Sequence, residues 1–186
     1  SCGYAPSTDA MIIDDIGCFI EESKSLGKKW KLINILGGEP TLHKDFLRII
    51  EILQREYADS FYSDVIIQVV SNGFTKQTKE LCKQAELFKN VRIDYGSFKT
   101  KNLVDYFTPF NNAPIDDINF KDADYPAACW VASYCGLGLN KNGYYACSVC
   151  GGIDRVLGGN KGIKTLKEIT TQNLQDHFKG FCKFCG

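Results

Sequence analysis

The alternation of helical and strand-like segments over the first hundred residues constrains the fold more than any other feature. Three segments repeat their apolar positions with the helical period: residues 8–25, 43–57 and 75–88. Three short apolar runs alternate with them and predict strands: residues 31–36, 64–70 and 91–95. Because the connections are short, this order predicts an α/β fold in which helices cover a parallel sheet. The second strand lacks polar alternation, which indicates that both of its faces are buried.

Each predicted strand ends in a small, polar or glycine-containing turn. The first strand ends at G-G-E-P, residues 37–40, and the second ends at S-N-G, residues 71–73. The third runs into polar residues at 94–97. In βα folds the carboxyl ends of parallel strands meet at one edge of the sheet, where ligands bind. The sequence therefore predicts a ligand site at these three turns.

The charge balance and the apolar runs argue against two classes of partner. The 186 residues hold 22 Lys and Arg against 22 Asp and Glu, so the formal net charge is zero. That balance argues against nucleic acid or an anionic membrane surface as a partner. No apolar run approaches the ~20 residues that span a bilayer, and the chain has no signal-peptide pattern at its start. We therefore expect no membrane association and a cytoplasmic protein.

The composition changes near residue 122, beyond which cysteine, glycine and aromatic residues become frequent. We predict two domains, residues 1–122 and 123–186. Asn142-Gly143 suits a tight primed turn and predicts a hairpin between short apolar segments. The weaker predictions are a short helix over 99–110, a strand over 115–120 and a helix over 164–178.

The turn at residues 37–40 is the most informative of the three. Gly37 and Gly38 let the backbone approach a ligand closely, and Pro40 stiffens the exit and holds Glu39 extended. Backbone carbonyls and the Glu39 carboxylate then offer acceptors and a fixed negative charge, which suits a ligand's ammonium group. The alternative is a tight turn that only joins the strand to the next helix.

This G-G-E-P sequence, with a strand before it and a helix after it, resembles the motif of radical S-adenosylmethionine enzymes. The resemblance covers residues 1–122 and implies a partial parallel (β/α) barrel that lacks its first strand in this sequence. In that family the motif ends the second strand and holds the methionine amino group of the cofactor. The residues that the resemblance assigns to S-adenosylmethionine are Gly37, Gly38, Glu39, Pro40, Ser71, Asn72, Asp94 and Ser97.

One departure concerns the family's C-x-x-x-C-x-x-C loop, whose three thiolates hold the primary 4Fe–4S cluster. The sequence does not contain this loop. Cys2 lies where such a loop would end, just before the first helix, and the chain opens at Ser1 rather than Met. We therefore expect Cys2 to be the third ligand, with the rest of the loop and the first strand preceding Ser1. The alternative is an incidental thiol.

Six of the nine cysteines crowd into the last 58 residues. Clustered cysteines with two C-x-x-C pairs favour ligation of a metal ion or an iron–sulfur cluster over disulfides. Two of them flank the predicted hairpin and two form the terminal pair, so we expect four thiolates to converge on one cluster or one zinc ion. The expected ligands are Cys135, Cys147, Cys182 and Cys185. Cys150 and then Cys129 are the competing ligands, and we expect Cys150 to lie outside the site.

The tail resembles the SPASM or shorter twitch extensions of radical S-adenosylmethionine enzymes, which carry auxiliary iron–sulfur clusters. In those extensions one cysteine precedes a glycine-containing hairpin, one follows it, and others lie near the end. Here Gly143 precedes Cys147 by four positions, one fewer than in the usual pattern. A single terminal pair implies one auxiliary 4Fe–4S cluster.

Together the two resemblances imply an enzyme that cleaves S-adenosylmethionine reductively to a 5′-deoxyadenosyl radical, which abstracts hydrogen from a substrate. Extensions of this type are associated with peptide and protein modification, so a peptide is one candidate substrate. A small electron-donor protein is the implied partner. The rival interpretations are a non-catalytic module stapled by zinc at four cysteines and a degenerate barrel without its primary cluster.

Overall fold

The structure is a computed structural model, and it describes residues 9–99, 112–119 and 121–185. These residues form two compact units, one within Ala10–Leu103 and one within Val104–Gly186 together with Asp9. This division groups residues 112–119 with the cysteine-rich unit, whereas the composition assigned them to the first domain. The boundary near residue 122 stays a prediction, and most of the helix expected over 99–110 lies outside the described residues.

Helices and strands alternate in the first unit, in the order that the sequence predicts. The helices are α1 (Ile13–Ser25), α2 (Phe46–Ile52) and α3 (Lys76–Ala85). The strands are β1 (Leu32–Ile35), β2 (Ile66–Val69) and β3 (Val91–Ile93). They form a parallel sheet in the order β1-β2-β3. The α/β assignment is therefore confirmed; within the described residues the sheet has three strands and stays open.

Local chemistry sets where the helices begin and end. The side chain of Thr75 accepts a hydrogen bond from the backbone N–H of Thr78 and caps α3. The helix α1 begins at Ile13, where Asp15 accepts a hydrogen bond from the backbone N–H of Ile12. Residue 8, where the sequence predicts that this helix begins, lies outside the described residues. The helix α2 continues as a π-helical turn over Leu53–Ala58.

Only one face of the sheet packs against helices within the described part of the first unit. Ile67, Val69 and Ile93 point to that face and are buried in two apolar clusters with α1, α2 and α3. On the opposite face Leu32 and Ile66 are each 39% exposed. The expectation that β2 is buried on both faces is therefore wrong, because its alternate residues point away from the helices.

The second unit contains short helices around one hairpin. Its helices are α4 (Tyr125–Ala128), α5 (Trp130–Tyr134), α6 (Ser148–Val156) and α7 (Thr171–Phe181). Its strands are β4 (Gly138–Asn140) and β5 (Gly143–Tyr145). These strands pair antiparallel around the predicted turn, so the hairpin is confirmed. Gly143 has a φ of 125°, and a Cβ there would lie 2.4 Å from the Ile163 carbonyl oxygen.

Two predictions for this unit need correction. The strand expected over 115–120 is replaced by a 3₁₀ turn at Pro114–Asp116, because proline begins the turn and Asp117 then accepts a hydrogen bond from the backbone N–H of Asn119. The helix expected over 164–178 begins later, because Thr170 caps the N-terminus of α7. A separate 3₁₀ turn at Leu166–Glu168 precedes it. Among the described residues no helix is both long and apolar enough to cross a membrane.

Candidate functional site

The carboxyl ends of the three strands in the first unit meet at one edge of the sheet. The register aligns Ile35 with Val69 and Val69 with Ile93, so the turns that follow them are neighbours. This brings together the three predicted segments, residues 37–40, 71–73 and 94–97. We call them the carboxyl edge.

Glu39 is the hydrogen-bonding centre of the carboxyl edge. Its Oε1 accepts hydrogen bonds from the Thr41 backbone N–H at 3.1 Å, from Thr41 Oγ1 at 2.7 Å and from Ser71 Oγ at 2.9 Å. Its Oε2 accepts one from the backbone N–H of Asn72 at 2.8 Å. One carboxylate therefore ties the end of β1 to the end of β2, a role that the sequence did not reveal.

The network around Glu39 extends into the helix layer. The hydroxyl oxygens of Thr41 and Thr78 lie 3.3 Å apart, and that of Thr78 lies 2.8 Å from the hydroxyl of Thr75 at the start of α3. Ser71 is almost fully buried and lies beside the thiol of Cys82, whose pKa is raised mainly by burial. Because Thr41, Ser71 and Thr78 are buried and the hydroxyls of Thr41 and Ser71 both bond to Glu39, this network holds the edge in one arrangement.

The second turn of the edge depends on glycine. Gly73 has a φ of 57°, and a Cβ there would lie 2.2 Å from the ring of Phe98. The side-chain oxygen of Asn72 accepts a hydrogen bond from the backbone N–H of Phe74. The backbone carbonyl of Asn72 accepts one from the backbone N–H of Lys99 at 2.7 Å. The Phe98 and Lys99 contacts connect this turn to the chain that follows β3.

The third turn is closed on itself. Asp94 accepts hydrogen bonds from the backbone N–H of Gly96 at 3.1 Å and from the hydroxyl of Ser97 at 2.7 Å. The two residues that the resemblance assigned to the cofactor's ribose or carboxylate thus lie at the edge and bond each other. A ligand that binds Asp94 or Ser97 would either replace the hydrogen bond between them or bind with that hydrogen bond in place.

The first turn has room for a ligand. Gly37 and Gly38 are exposed, and Pro40 is buried in a 3₁₀ turn that Glu39 caps. A Cβ placed on Gly37 meets no atom within 4 Å. Within the described residues Glu39 Oε2 accepts one hydrogen bond, whereas each carboxylate oxygen can accept about two. The edge therefore offers an anionic oxygen to a cationic group.

The second unit gathers cysteines around an apolar cluster that we call the cysteine core. Cys147 and Cys150 are buried there with Val131, Tyr145 and Phe181. Cys129 and Cys135 pack against the cluster from the two ends of α5. The backbone of β4 approaches closely, since a Cβ on Gly138 would lie 2.7 Å from the Cys147 carbonyl oxygen.

In the cysteine core a sulfur contact joins Cys147, an expected ligand, to Cys150, which we expected to lie outside the site. The sulfurs of Cys147 and Cys150 lie 3.3 Å apart, so Cys150 borders the expected site instead of lying outside it. Cys147 is the N-cap residue of α6. The pKa of its thiol is lowered by the Cys150 thiol and by the backbone N–H groups of Cys150 and Val149. The same hydrogen bond and burial raise the pKa of Cys150.

Three further thiols of this unit, those of Cys135, Cys182 and Cys185, are held neutral. Burial, followed by the charge of a nearby Cys147 thiolate, raises the pKa of Cys135 and of Cys185. The same causes raise the pKa of Cys182 to about 12. The three predicted partners of Cys147 are therefore near enough to sense its charge. Without a cation, four thiolates in this core would repel one another.

A metal ion or cluster is the group that such a donor set would satisfy chemically. Among the described residues, however, no three His, Cys, Asp or Glu side chains are arranged as ligands of one metal ion. The core therefore has the chemistry of a thiolate site without a formed ligand set. Cys2 lies outside the described residues, so its assignment stays a prediction.

A hydrogen-bonded network in the second unit was not anticipated from the sequence. Asp154 is 1% exposed and accepts hydrogen bonds from the hydroxyl of Tyr145 at 2.8 Å and from the backbone N–H of Lys161 at 2.9 Å. His177 is buried beside Tyr145. Its Nδ1 accepts the backbone N–H of Ala146, so Nε2 donates to the Lys161 carbonyl. These side chains hold the hairpin against α6 and α7.

Comparison with known proteins identifies no relative. No family model, no curated protein and no solved structure gives a significant match to the chain.

Proposed function

We propose that this chain is the cofactor-binding and auxiliary-cluster part of a radical S-adenosylmethionine enzyme, with a partial (β/α) barrel of that type. The proposal rests on one observation. The Glu39 carboxylate joins the G-G-E-P turn to the Ser71-Asn72 turn at the carboxyl ends of adjacent parallel strands. A parallel sheet presents its ligand site at this edge, and the position of the motif there supports the proposal.

The carboxyl edge suits the amino-acid end of S-adenosylmethionine. Its ammonium group needs acceptors, and Glu39 Oε2 and the exposed turn at Gly37 and Gly38 supply them. Thr41 and Ser71 fix the carboxylate, so it needs no reorganisation when a cation arrives. Asp94 and Ser97 border the same edge and offer hydroxyl and carboxylate oxygens to the ribose.

When bound to a reduced iron–sulfur cluster, S-adenosylmethionine supplies a carbon radical that abstracts hydrogen from a substrate. The residues of this chain would bind and orient the cofactor and exclude water. The substrate class that we propose is a peptide, and the electron source is a small electron-donor protein. The assignment of Cys2 as a ligand of the primary cluster belongs to the same proposal.

The cysteine core would carry one auxiliary cluster. Cys147 would be one ligand, with Cys135, Cys182 and Cys185 completing the set. Burial and mutual charge hold the pKa values of these three thiols above their ordinary range. A bound cation reverses this effect, because it stabilises each thiolate. The ligand set would have to form when the group binds, as metal sites commonly do.

Calorimetry with S-adenosylmethionine tests the carboxyl edge. Gly37→Val adds a side chain into open space, so the fold tolerates it while the approach of a ligand is blocked. Gly17→Val is the matched control, because a Cβ on Gly17 also meets nothing within 4 Å. We expect at least about tenfold weaker binding in Gly37→Val, or about 1.4 kcal/mol, and unchanged binding in the control. Equal affinity in both variants would remove the support for this site.

Anaerobic reconstitution with iron and sulfide tests the cysteine core. We expect about four iron and four sulfide per chain, with Cys147→Ser losing most of both. Cys18→Ser is the control, because Cys18 is an exposed thiol in the other unit. Uptake of one zinc and no iron would instead favour the zinc-stapled module.

A further inference from the structure

We propose that Cys147 and Cys150 form a redox-active dithiol that closes to an intramolecular disulfide at the expense of a low-molecular-weight disulfide. Nothing in the auxiliary-cluster proposal requires this reaction, since it needs no metal. It does bear on that proposal, because a sulfur held in a disulfide is no longer a thiolate ligand.

The distance between the two sulfurs carries the inference. They lie 3.3 Å apart, and a disulfide bond measures about 2.05 Å, so closure needs a small rotation of the side chains. The residues are three positions apart at the start of α6, which places their side chains on one helix face. No movement of one element past another is needed.

Burial decides which oxidised product is stable. Cys147 is 7% exposed and Cys150 is 2% exposed, in a cluster with Tyr145 and Phe181. A mixed disulfide would have to fit its second half into this packed core, which overpacking disfavours. An intramolecular disulfide adds no atoms. If an external thiol forms a mixed disulfide with one of the two cysteines, the sulfur of the other cysteine is in contact with it and displaces that external thiol.

The start of α6 favours attack by Cys147 in particular. Cys147 is the N-cap residue of α6, whereas Cys150 lies within the helix. The thiolate is the nucleophile in thiol–disulfide exchange, and the N-terminus of a helix favours negative charge.

The reaction balances without a metal or a further oxidant. The Cys147 thiolate attacks one sulfur of the external disulfide and releases one thiolate, which leaves a mixed disulfide on Cys147. Cys150 loses its proton to solvent and attacks Cys147, which releases the second thiolate. Two protein thiols are oxidised, and one external disulfide is reduced to two thiols.

The chain contains a matched control for this site. Cys182 and Cys185 form a second C-x-x-C pair in the same unit, with the same spacing. They lie in a 3₁₀ turn at the C-terminal end of α7, where both are only partly buried. If spacing alone determined closure, the two pairs would behave alike. If the helix N-terminus and the sulfur contact determine it, Cys147 and Cys150 close first.

The experiment titrates the metal-free chain with hydroxyethyl disulfide and 2-mercaptoethanol at a series of ratios. Acid quenching, alkylation and peptide mass analysis then report the oxidised fraction of each pair. We expect the equilibrium constant for closing Cys147 and Cys150 to exceed that for Cys182 and Cys185 at least about tenfold, which is about 30 mV for a two-electron couple.

Two variants keep the outcome decisive. Cys185→Ser removes the control pair and should leave closure at Cys147 unchanged. Cys150→Ser should abolish closure; if that variant does not fold, the wild-type chain and Cys185→Ser carry the test. The proposal is overturned if Cys147 and Cys150 stay reduced where other pairs have closed, or if Cys147 pairs mainly with Cys135 or Cys182. Because the chain is metal-free, this result is independent of whether a cluster binds.

Discussion

The carboxyl edge and the cysteine core place reactive side chains in two different ways. At the edge, the Glu39 carboxylate accepts four hydrogen bonds from described residues of its own chain, so it is held in one position. In the core, thiols are buried among apolar side chains and held neutral by burial and by each other's charge. The comparison indicates that the edge is organised by its own hydrogen bonds, whereas the described part of the core has no formed metal-ligand set.

The largest expected effect comes from removing the Glu39 carboxylate. Glu39→Ala leaves Ser71, Thr41 and the backbone N–H of Asn72 without their acceptor, and it should destabilise the first unit by about 3 kcal/mol. Urea unfolding followed by Trp30 fluorescence in a Trp130→Phe background measures this, because Trp30 packs in the first unit.

Glu86→Ala is the control for Glu39→Ala. Glu86 is exposed and accepts the hydroxyl of Tyr95, so its loss should cost less than about 1 kcal/mol. If the two variants lost the same free energy of unfolding, the carboxyl edge would not depend on the Glu39 carboxylate, and its contrast with the cysteine core would fail.

A smaller effect is expected from the hydrogen-bonded network that supports the cysteine core. Tyr145→Phe removes one of the two hydrogen bonds that Asp154 accepts in a buried site. Amide exchange in α6 and α7 should accelerate about tenfold, which corresponds to about 1.4 kcal/mol. Tyr134→Phe is the control, because Tyr134 is 82% exposed. If both variants exchange like the wild type, the Tyr145–Asp154 pair does not stabilise the core.

The smallest effect concerns alkaline pH. Tyr57 is buried, and burial raises its pKa above the ordinary value of 10. Above pH 10 the unfolded chain binds fewer protons than the native one, so stability is present below pH 10 and is lost as the pH rises further. One such group contributes a slope of up to about 1.4 kcal/mol per pH unit.

Tyr57→Phe isolates this contribution to the pH profile. The variant loses hydrogen bonds to the Lys28 carbonyl and from the Trp30 N–H, so it should start from lower stability. Its stability should then decline less steeply between pH 10 and 11 than that of the wild type. Parallel profiles in urea unfolding would exclude Tyr57 as a source of the alkaline loss.

Much of the carboxyl edge could be predicted from the sequence, because a strand end and its turn are local features. The glycines of residues 37–40 and the polar turn at 71–73 mark those ends directly. The bonds between them could not be predicted. Glu39 and Ser71 are 32 residues apart, and only the sheet register makes them neighbours.

The cysteine core was harder to predict because glycine is unfavourable inside a helix. Gly151 and Gly152 nevertheless lie inside α6. A Cβ on Gly151 would lie 2.6 Å from Asn140 Nδ2 and 3.2 Å from the ring of Tyr145, so glycine lets the helix pack closely on the hairpin. That helix brings Cys150 against Cys147, which the spacing alone did not show.

Amide exchange in the presence of S-adenosylmethionine tests the central claim most directly. At saturating cofactor, the account predicts slower exchange at residues 36–42, 71–74 and 94–98 together, since all three turns lie at one edge. It predicts no change in α6 or in the hairpin of β4 and β5. Unchanged exchange at all three turns, or protection confined to the cysteine core, would contradict the account.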